Sequence, residues 1–447
     1  MNKFILPKHS AMLQADYIFG VATSSFQIEG ARQARCESIW DRFCRVDGAV
    51  KDKSNGDTAC EHIARWQQDV ELIHSLGVDA YRLSISWPRV INDDGTVNLA
   101  GLGFYQALVD ELVAKGLKVF VTLYHWDLPQ ALEDKGGWLN RETAVAFAQY
   151  SEVVCKALGE KVYAYTTLNE PFCSAHLGYE VGIHAPGIRS QSAGRQAAHH
   201  LLLAHGLAMQ VLRTHCPKSR HGIVLNFANA DAASDSPSDI KAAKIADDYC
   251  NHWYIKPIID GCYPALLAQL PKDVQPDIQA GDLEIISAPI DYLGVNYYTR
   301  NIYKSDGNGW YEQVAPTASH LTTMGWEIVP DSFCTLLLDL HQKYQLPTLY
   351  ITENGAAFED KIANGEVLDV KRLDYFQSHL LAVHQAIEQG VDIQGYFAWS
   401  LMDNFEWAEG YTQRFGIVHV DYNTQQRTLK ASAKAYQAML EARREAL

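Results

Sequence analysis

The chain is expected to fold as an α/β protein, a single (β/α)8 TIM barrel with enlarged βα loops spanning 1–447, and three features lead there. Eight short runs rich in β-branched or aromatic residues recur along the chain, each followed by turn residues and then by a longer stretch of helical period. No Pro/Ser/Gly-rich linker or low-complexity tract divides them. Eight alternations in one undivided chain fit a closed barrel better than a doubly wound sheet.

The eight strands are expected at 19–25, 80–86, 118–124, 163–169, 222–227, 292–298, 348–353 and 395–400. Between them, 60–76, 104–115, 143–158, 197–215 and 372–389 return an apolar residue every three or four positions, the spacing of a half-buried helix. Polar and aromatic residues gather at the C-terminal ends of seven of the strands: Gln27 and Glu29, Arg82 and Trp87, His125 and Trp126, Asn169 and Glu170, Asn296 and Tyr298, Glu353 and Asn354, and Trp399 with Glu406 and Trp407. In a barrel those ends form one face, and that face carries the chemistry.

Composition narrows the partners. Lys and Arg number 38 and Asp and Glu 53, a formal charge of −15, the wrong sign for nucleic acid or an anionic membrane surface. No window approaches the run of about 18 apolar residues that spans a bilayer. The opening segment has no secretory apolar core, and no Asn-x-Ser/Thr sequon occurs. Nine cysteines without a C-x-x-C pair match neither a disulfide framework nor a zinc site. A cytoplasmic protein is expected.

Glu170 stands in Thr-Leu-Asn169-Glu170-Pro171 and Glu353 in Tyr350-Ile-Thr-Glu353-Asn-Gly355. A lone glutamate at a strand end is more often a cap for the next helix. Two at one barrel mouth, among Trp, Tyr, His, Asn and Gln, supply what glycoside hydrolysis needs, a proton donor and an ionised carboxylate flanking one bond. Aromatic faces suit sugar rings, and amides with His125 offer directional hydrogen bonds to hydroxyls. Trp40, Trp66 and Trp253 are assigned to packing. The segment from Trp399 to Trp407, with Asp403, Asn404 and Glu406 among its aromatics, reads as a sugar clamp.

Competing motifs fail. Gly101-Leu-Gly103 lacks the third glycine of a dinucleotide fingerprint, and no Walker loop, H-E-x-x-H or G-x-S-x-G is present. A metal site drawing on His125, His184, His199 and His200 would need the last two to leave a helical segment, so no metal and no cofactor is expected.

The motifs together resemble those of glycoside hydrolase family 1, the retaining β-glucosidases, along nearly the whole chain. The likeness lies in Phe19-Gly-Val-Ala-Thr-Ser-Ser-Phe-Gln27-Ile-Glu29-Gly-Ala, Tyr81-Arg82-Leu-Ser-Ile-Ser-Trp-Pro-Arg89 and Tyr124-His125-Trp-Asp-Leu-Pro129, followed in family order by the Glu170 and Glu353 motifs and the segment ending at Trp407. The resemblance implies that Glu353 is the nucleophile and Glu170 the acid/base, with Arg82 and Tyr298 orienting Glu353. It places Gln27, His125, Asn169, Asn296, Glu406 and Trp407 as substrate-binding residues, Trp399 beneath the sugar ring and Trp326 as the leaving-group platform. Relatives that cleave 6-phosphorylated glycosides usually carry Ser where Glu406 stands and Lys where Gln413 stands. A charged Glu406 would repel a phosphate and accept hydrogen bonds from a neutral sugar. The implied activity is hydrolysis of terminal β-D-glucosyl residues from cellobiose, cello-oligosaccharides and aryl β-glucosides, with β-galactosides and β-fucosides as further candidates. The rival readings are a sugar-binding barrel without turnover and a 6-phospho-β-glycosidase.

Overall fold

The computed structural model describes residues 3–317 and 320–447; Met1 and Asn2 of the opening segment lie outside the described residues. Eight parallel strands close a barrel: β1 (Ile18–Ala22), β2 (Ala80–Ser84), β3 (Lys118–Tyr124), β4 (Ala164–Asn169), β5 (Arg220–Phe227), β6 (Tyr292–Tyr297), β7 (Thr348–Asn354) and β8 (Ile393–Trp399). Each pairs with its neighbours in chain order, and β8 returns to β1. All eight fall where the sequence predicts them. The first is shorter than expected, because Ser25–Ile28 turns into a helical segment and carries Gln27 out of the strand.

The shell begins with α1 (His62–Ser75), α2 (Leu99–Ala114), α3 (Glu142–Leu158) and α4 (Gln191–His215). It continues with α5 (Trp253–Asp260), α6 (Pro330–Lys343), α7 (Val370–Glu388) and α8 (Ala431–Ala446). Helices α2 and α4 start earlier than their apolar period suggests because side-chain caps set their ends. Asn98 accepts from Gly101 N at 3.2 Å and Ser190 from Ala193 N at 3.3 Å, satisfying amides that have no partner within the helix. His199 and His200 lie inside α4; His199 pairs with Asp282 at 2.8 Å and His200 with the Trp138 carbonyl at 2.9 Å. Among the described residues no helix is long and apolar enough to cross a membrane.

The barrel interior changes character along its axis. Ile18, Ala80, Phe120, Ala164, Tyr292, Tyr350 and Phe397 form an apolar plug, with Phe120 edge-on to Tyr292, Tyr350 and Phe397. Above the plug the inward residues turn polar, beginning with Thr166, whose hydroxyl lies 2.6 Å from the Tyr292 hydroxyl. The plug thus floors the site and keeps water from entering from below.

A buried ion network ties the loops of the catalytic face to the shell. Asp403 accepts from Lys430 at 2.7 Å and Arg414 at 2.5 Å, while Arg372 binds Asp360 at 2.8 Å and Asp369 at 2.7 Å. Lys430 also reaches Asp360, and both Lys430 and Asp403 are fully buried. The network joins the loop after β8, the loop after β7 and the starts of α7 and α8. Asp403, grouped with the sugar clamp in the sequence reading, is therefore a structural anchor behind it. Replacing Lys430 by Met is expected to cost about 3–5 kcal/mol of stability, because two buried aspartates lose a shared cation. The guanidinium unfolding midpoint reads this loss, and one below about 1 kcal/mol would contradict the anchoring role.

Candidate active site

At the C-terminal ends of the strands opens a cavity of about 410 Å3. His125, Glu170, Tyr298, Trp326, Glu353, Trp399, Glu406 and Trp407 line it. Gln27, Arg82, Asn169 and Asn296 are each at most 1% exposed and stand directly behind that wall. Three other strand-end residues turn away: Glu29 pairs with Arg89 at 2.8 Å, Trp87 stacks on Tyr150, and Asn354 hydrogen-bonds Tyr375 and Tyr396.

The two strands that deliver the glutamates both break register just before them. On β4 the pairing with β5 shifts between Thr166 and Asn169, and on β7 the pairing with β6 shifts between Ile351 and Glu353. Such irregularities re-aim side chains at barrel rims. Gly355, next to the β7 motif, has no room for a side chain, since a Cβ there would lie 1.7 Å from the Trp399 carbonyl oxygen. Glu170, Trp126 and Trp407 adopt φ of 47°, 79° and 49°, a left-handed conformation that costs about 1–3 kcal/mol per non-glycine residue.

Glu353 is held at both oxygens. Arg82 Nη1 donates to Oε1 and the Tyr298 hydroxyl to Oε2, each at 2.6 Å. Arg82 Nη2 donates to Asn169 Oδ1, also at 2.6 Å. Burial, reinforced by Glu353, holds the Tyr298 hydroxyl well above its ordinary range, so it remains a donor.

Among the described residues no cation touches Glu170. Asn296 Nδ2 donates to Oε1 at 2.6 Å and Cys173 Sγ to Oε2 at 3.1 Å. Burial, then the charge of Glu353, pushes its carboxyl up to about 8. Thr352 Oγ1 donates to Asn296 Oδ1 at 2.7 Å, which fixes the amide so that its nitrogen faces Glu170.

The same logic sets His125. Asn169 Oδ1 accepts from Arg82 and from Asn296, so Nδ2 faces outward, 3.2 Å from His125 Nε2. Nε2 must then accept, and the ring proton sits on Nδ1. Burial and Arg82 drive the imidazole well below its ordinary range, leaving it neutral. Among the described residues the buried Nδ1 has no partner.

Trp399, His125 and Trp407 present nearly parallel rings, His125 lying 5.9 Å from each at interplanar angles of 17° and 15°. Trp407 is wedged in place by Phe26, Trp40 and Trp126. Gln27 Nε2 donates to Asn404 Oδ1, the Phe405 carbonyl and Glu406 Oε2, so it braces the Glu406 loop from behind. Trp326 is half-buried at the rim, 5.5 Å from the Tyr298 ring.

Burial, followed by the charges of Glu353 and Glu170, pushes Glu406 up to about 8. The shift favours the protonated form, in which Glu406 can both donate to and accept from a hydroxyl. No Lys or Arg among the described residues lines the cavity. Gln413 is engaged with Thr323 and Glu409. The one His/Cys/Asp/Glu group among the described residues close enough to hold a metal, His9 with His384 and Glu388, includes no cavity residue.

Sequence reasoning missed Cys173 and Thr352, which touch Glu170 and orient Asn296. Cys173 lies three residues beyond Glu170, a spacing that would have suggested contact across one helical turn. Thr352 carries no distinguishing signal.

A family model described as glycosyl hydrolase family 1 matches residues 9–445. A β-glucosidase of Agrobacterium sp. is 47% identical over 96% of this chain and 95% of its own. Virulence factor SghA, solved with its substrate analog salicin, is 45% identical at a TM-score of 0.94, covering 98% of this chain and 99% of that one. A Thermotoga maritima family 1 glycoside hydrolase complexed with a cyclophellitol analogue transition state mimic is 42% identical at a TM-score of 0.93, covering 99% of each chain. A barrel whose rim gathers two unlike glutamates and a wall of tryptophans, matched almost end to end by these proteins, belongs to glycosyl hydrolase family 1.

Proposed function

We propose that the protein is a retaining β-glucosidase that removes terminal non-reducing β-D-glucosyl residues from cellobiose, cello-oligosaccharides and aryl β-glucosides. β-Galactosides and β-fucosides are further candidate substrates. One observation carries the reading: of two neighbouring carboxyls, Glu353 touches a cation and Glu170, among the described residues, touches none. In a low-dielectric pocket the carboxyl in an ion pair takes the role of the charged group, and the buried carboxyl that is raised takes the role of the proton donor.

In the first step Glu353 attacks the anomeric carbon while Glu170 protonates the departing glycosidic oxygen. The C–O bond to the aglycone breaks, and a glycosyl ester forms on Glu353. In the second step Glu170, now ionised, takes a proton from water, whose oxygen attacks the same carbon and releases glucose with its β configuration and Glu353 as carboxylate. Retaining pairs stand about 5–5.5 Å apart, too close for water to wait between them. In this reading His125 and protonated Glu406 bind sugar hydroxyls, with Gln27 and Asn169 supporting them, and Trp399 and Trp407 cover the ring faces. Trp326 receives the aglycone. Side chains handle every proton in this scheme, which uses no metal or cofactor.

The whole chain, 1–447, acts as one catalytic barrel in this reading, on a small-molecule substrate. A cytoplasmic setting suits its nine free cysteines, one of them, Cys262, exposed.

The direct test is the initial rate on 4-nitrophenyl β-glucoside beside its 6-phosphate, without added metal. Release from the neutral glucoside alone is expected; preference for the phosphate, or binding without turnover, would overturn the reading. Glu170→Ala should lower kcat/KM on cellobiose by about 100- to 10,000-fold and on a 2,4-dinitrophenyl glucoside far less, since an activated leaving group needs little protonation. Equal losses on both would contradict the acid role.

Glu406 titrates near 4.5 when exposed and about 8 in the folded protein. Between those values the folded state holds a proton that the unfolded chain has released, so this group's contribution to stability declines as pH rises through that window. Glu406→Gln removes the decline. Its melting temperature should therefore gain on the wild type more at pH 8 than at pH 5, a difference that scanning calorimetry reads; a gain independent of pH would contradict the raised value.

A further inference from the structure

The turn that carries Glu170 also carries a thiol aimed at it. Pro171 follows Glu170, and Cys173 N donates to the Glu170 carbonyl at 2.9 Å, closing one turn. Residues three apart on such a turn share a face. Cys173 Sγ accordingly stands 3.1 Å from Glu170 Oε2, with the residue 7% exposed and bordering the cavity. Oε1 is occupied by the Asn296 amide, whose orientation Thr352 fixes. When Glu170 is protonated, its proton therefore sits on Oε2, the oxygen beside the thiol.

We propose that Cys173 is a positioning residue for the acid/base step, its S–H donating to Oε2 of Glu170 when that carboxyl is ionised and yielding when Oε2 carries the proton. The inference rests on the reading of Glu170 as the acid/base. Sulfur chemistry suits the task. A thiol is a weak donor. It can hold Oε2 in one rotamer without keeping the carboxyl ionised against its surroundings. Burial, then the charge of Glu170, pushes the Cys173 thiol well up, so it stays a donor through the neutral range. Burial and Glu353 raise the Glu170 carboxyl, while Asn296 and Cys173 lower it, so the thiol trims a shift that the rest of the pocket imposes. A hydroxyl in its place would bind the carboxylate more firmly and make Glu170 a poorer base; an alkyl group would leave Oε2 free to turn.

The test compares the pH dependence of kcat/KM on cellobiose for the wild type, Cys173→Ser and Cys173→Ala. The alkaline limb reports Glu170 losing its proton in the free enzyme. Deleting a donor to the ionised form moves that limb up, and strengthening the donor moves it down. Cys173→Ala is expected to shift it up by about half a pH unit and Cys173→Ser down by a similar amount. A shift acting through Glu406 would appear equally with 2,4-dinitrophenyl β-glucoside, whereas one acting through Glu170 appears on cellobiose. Limbs that stay put in both variants, move in one direction in both, or move equally on the two substrates overturn the proposal. So does a uniform loss of rate with the limb unmoved, the signature of packing alone. Glu170→Gln keeps the two failures apart. If that variant retains the wild-type rate and alkaline limb on cellobiose, the reading of Glu170 falls and the proposal with it; if it loses rate on cellobiose while the Cys173 variants leave their limbs unmoved, only the role of Cys173 falls.

Discussion

A single buried guanidinium organises the catalytic mouth. Arg82 is 1% exposed, so bringing it out of water costs several kcal/mol, which a well-placed counter-charge and hydrogen bonds at both Nη atoms offset. Glu353 supplies the charge, Asn169 and the Thr352 carbonyl the further acceptors. Each of these contacts propagates. Asn169, turned by Arg82, fixes the tautomer of His125; burial, and then the charge of Glu353 pinned by Arg82, raises Glu170 and Glu406. The division of labour among three carboxyls follows from there being one cation to share.

The environment that makes this division possible is built by the rest of the barrel. An aromatic plug below and tryptophans beside the pocket exclude water, which strengthens every charge interaction inside it. The breaks in register on β4 and β7 and the left-handed residues at Glu170, Trp126 and Trp407 are departures from regular structure that the surrounding packing must sustain. The Lys430, Asp403 and Arg372 network lies behind this strained rim and joins its loops through contacts that are themselves dry. Stability and chemistry are thus coupled through the loops after β7 and β8.

Much of this was legible in the residues. Alternating runs located all eight strands, because a strand buried on both faces leaves a short apolar signature whatever its partners. The positions of Glu170, Glu353, Arg82 and Tyr298 followed from strand ends and from resemblance. What escaped were relations that spacing does not encode. Gln27 and Asn169 are fully buried and meet the lining residues Glu406 and His125, contacts that tertiary packing decides. Glu29 and Trp87 sit at strand ends as Glu353 does, yet find partners in Arg89 and Tyr150 that lie outside the barrel. The raised carboxyl of Glu406 escaped for a related reason: a carboxylate read from sequence is ionised by default, and burial, then proximity to Glu353 and Glu170, raises it.

The assignment of Glu353 as the group that takes up the sugar can be tested by trapping. Incubation with 2,4-dinitrophenyl 2-deoxy-2-fluoro-β-glucoside slows both steps but spares the activated departure, so the glycosyl ester accumulates and survives proteolysis for mass spectrometry. A label confined to the peptide containing Glu353, with stoichiometric loss of activity, is the predicted result. A label on Glu170 or Glu406, or inactivation with no covalent adduct, would contradict a mechanism in which the carboxyl paired with Arg82 is the nucleophile.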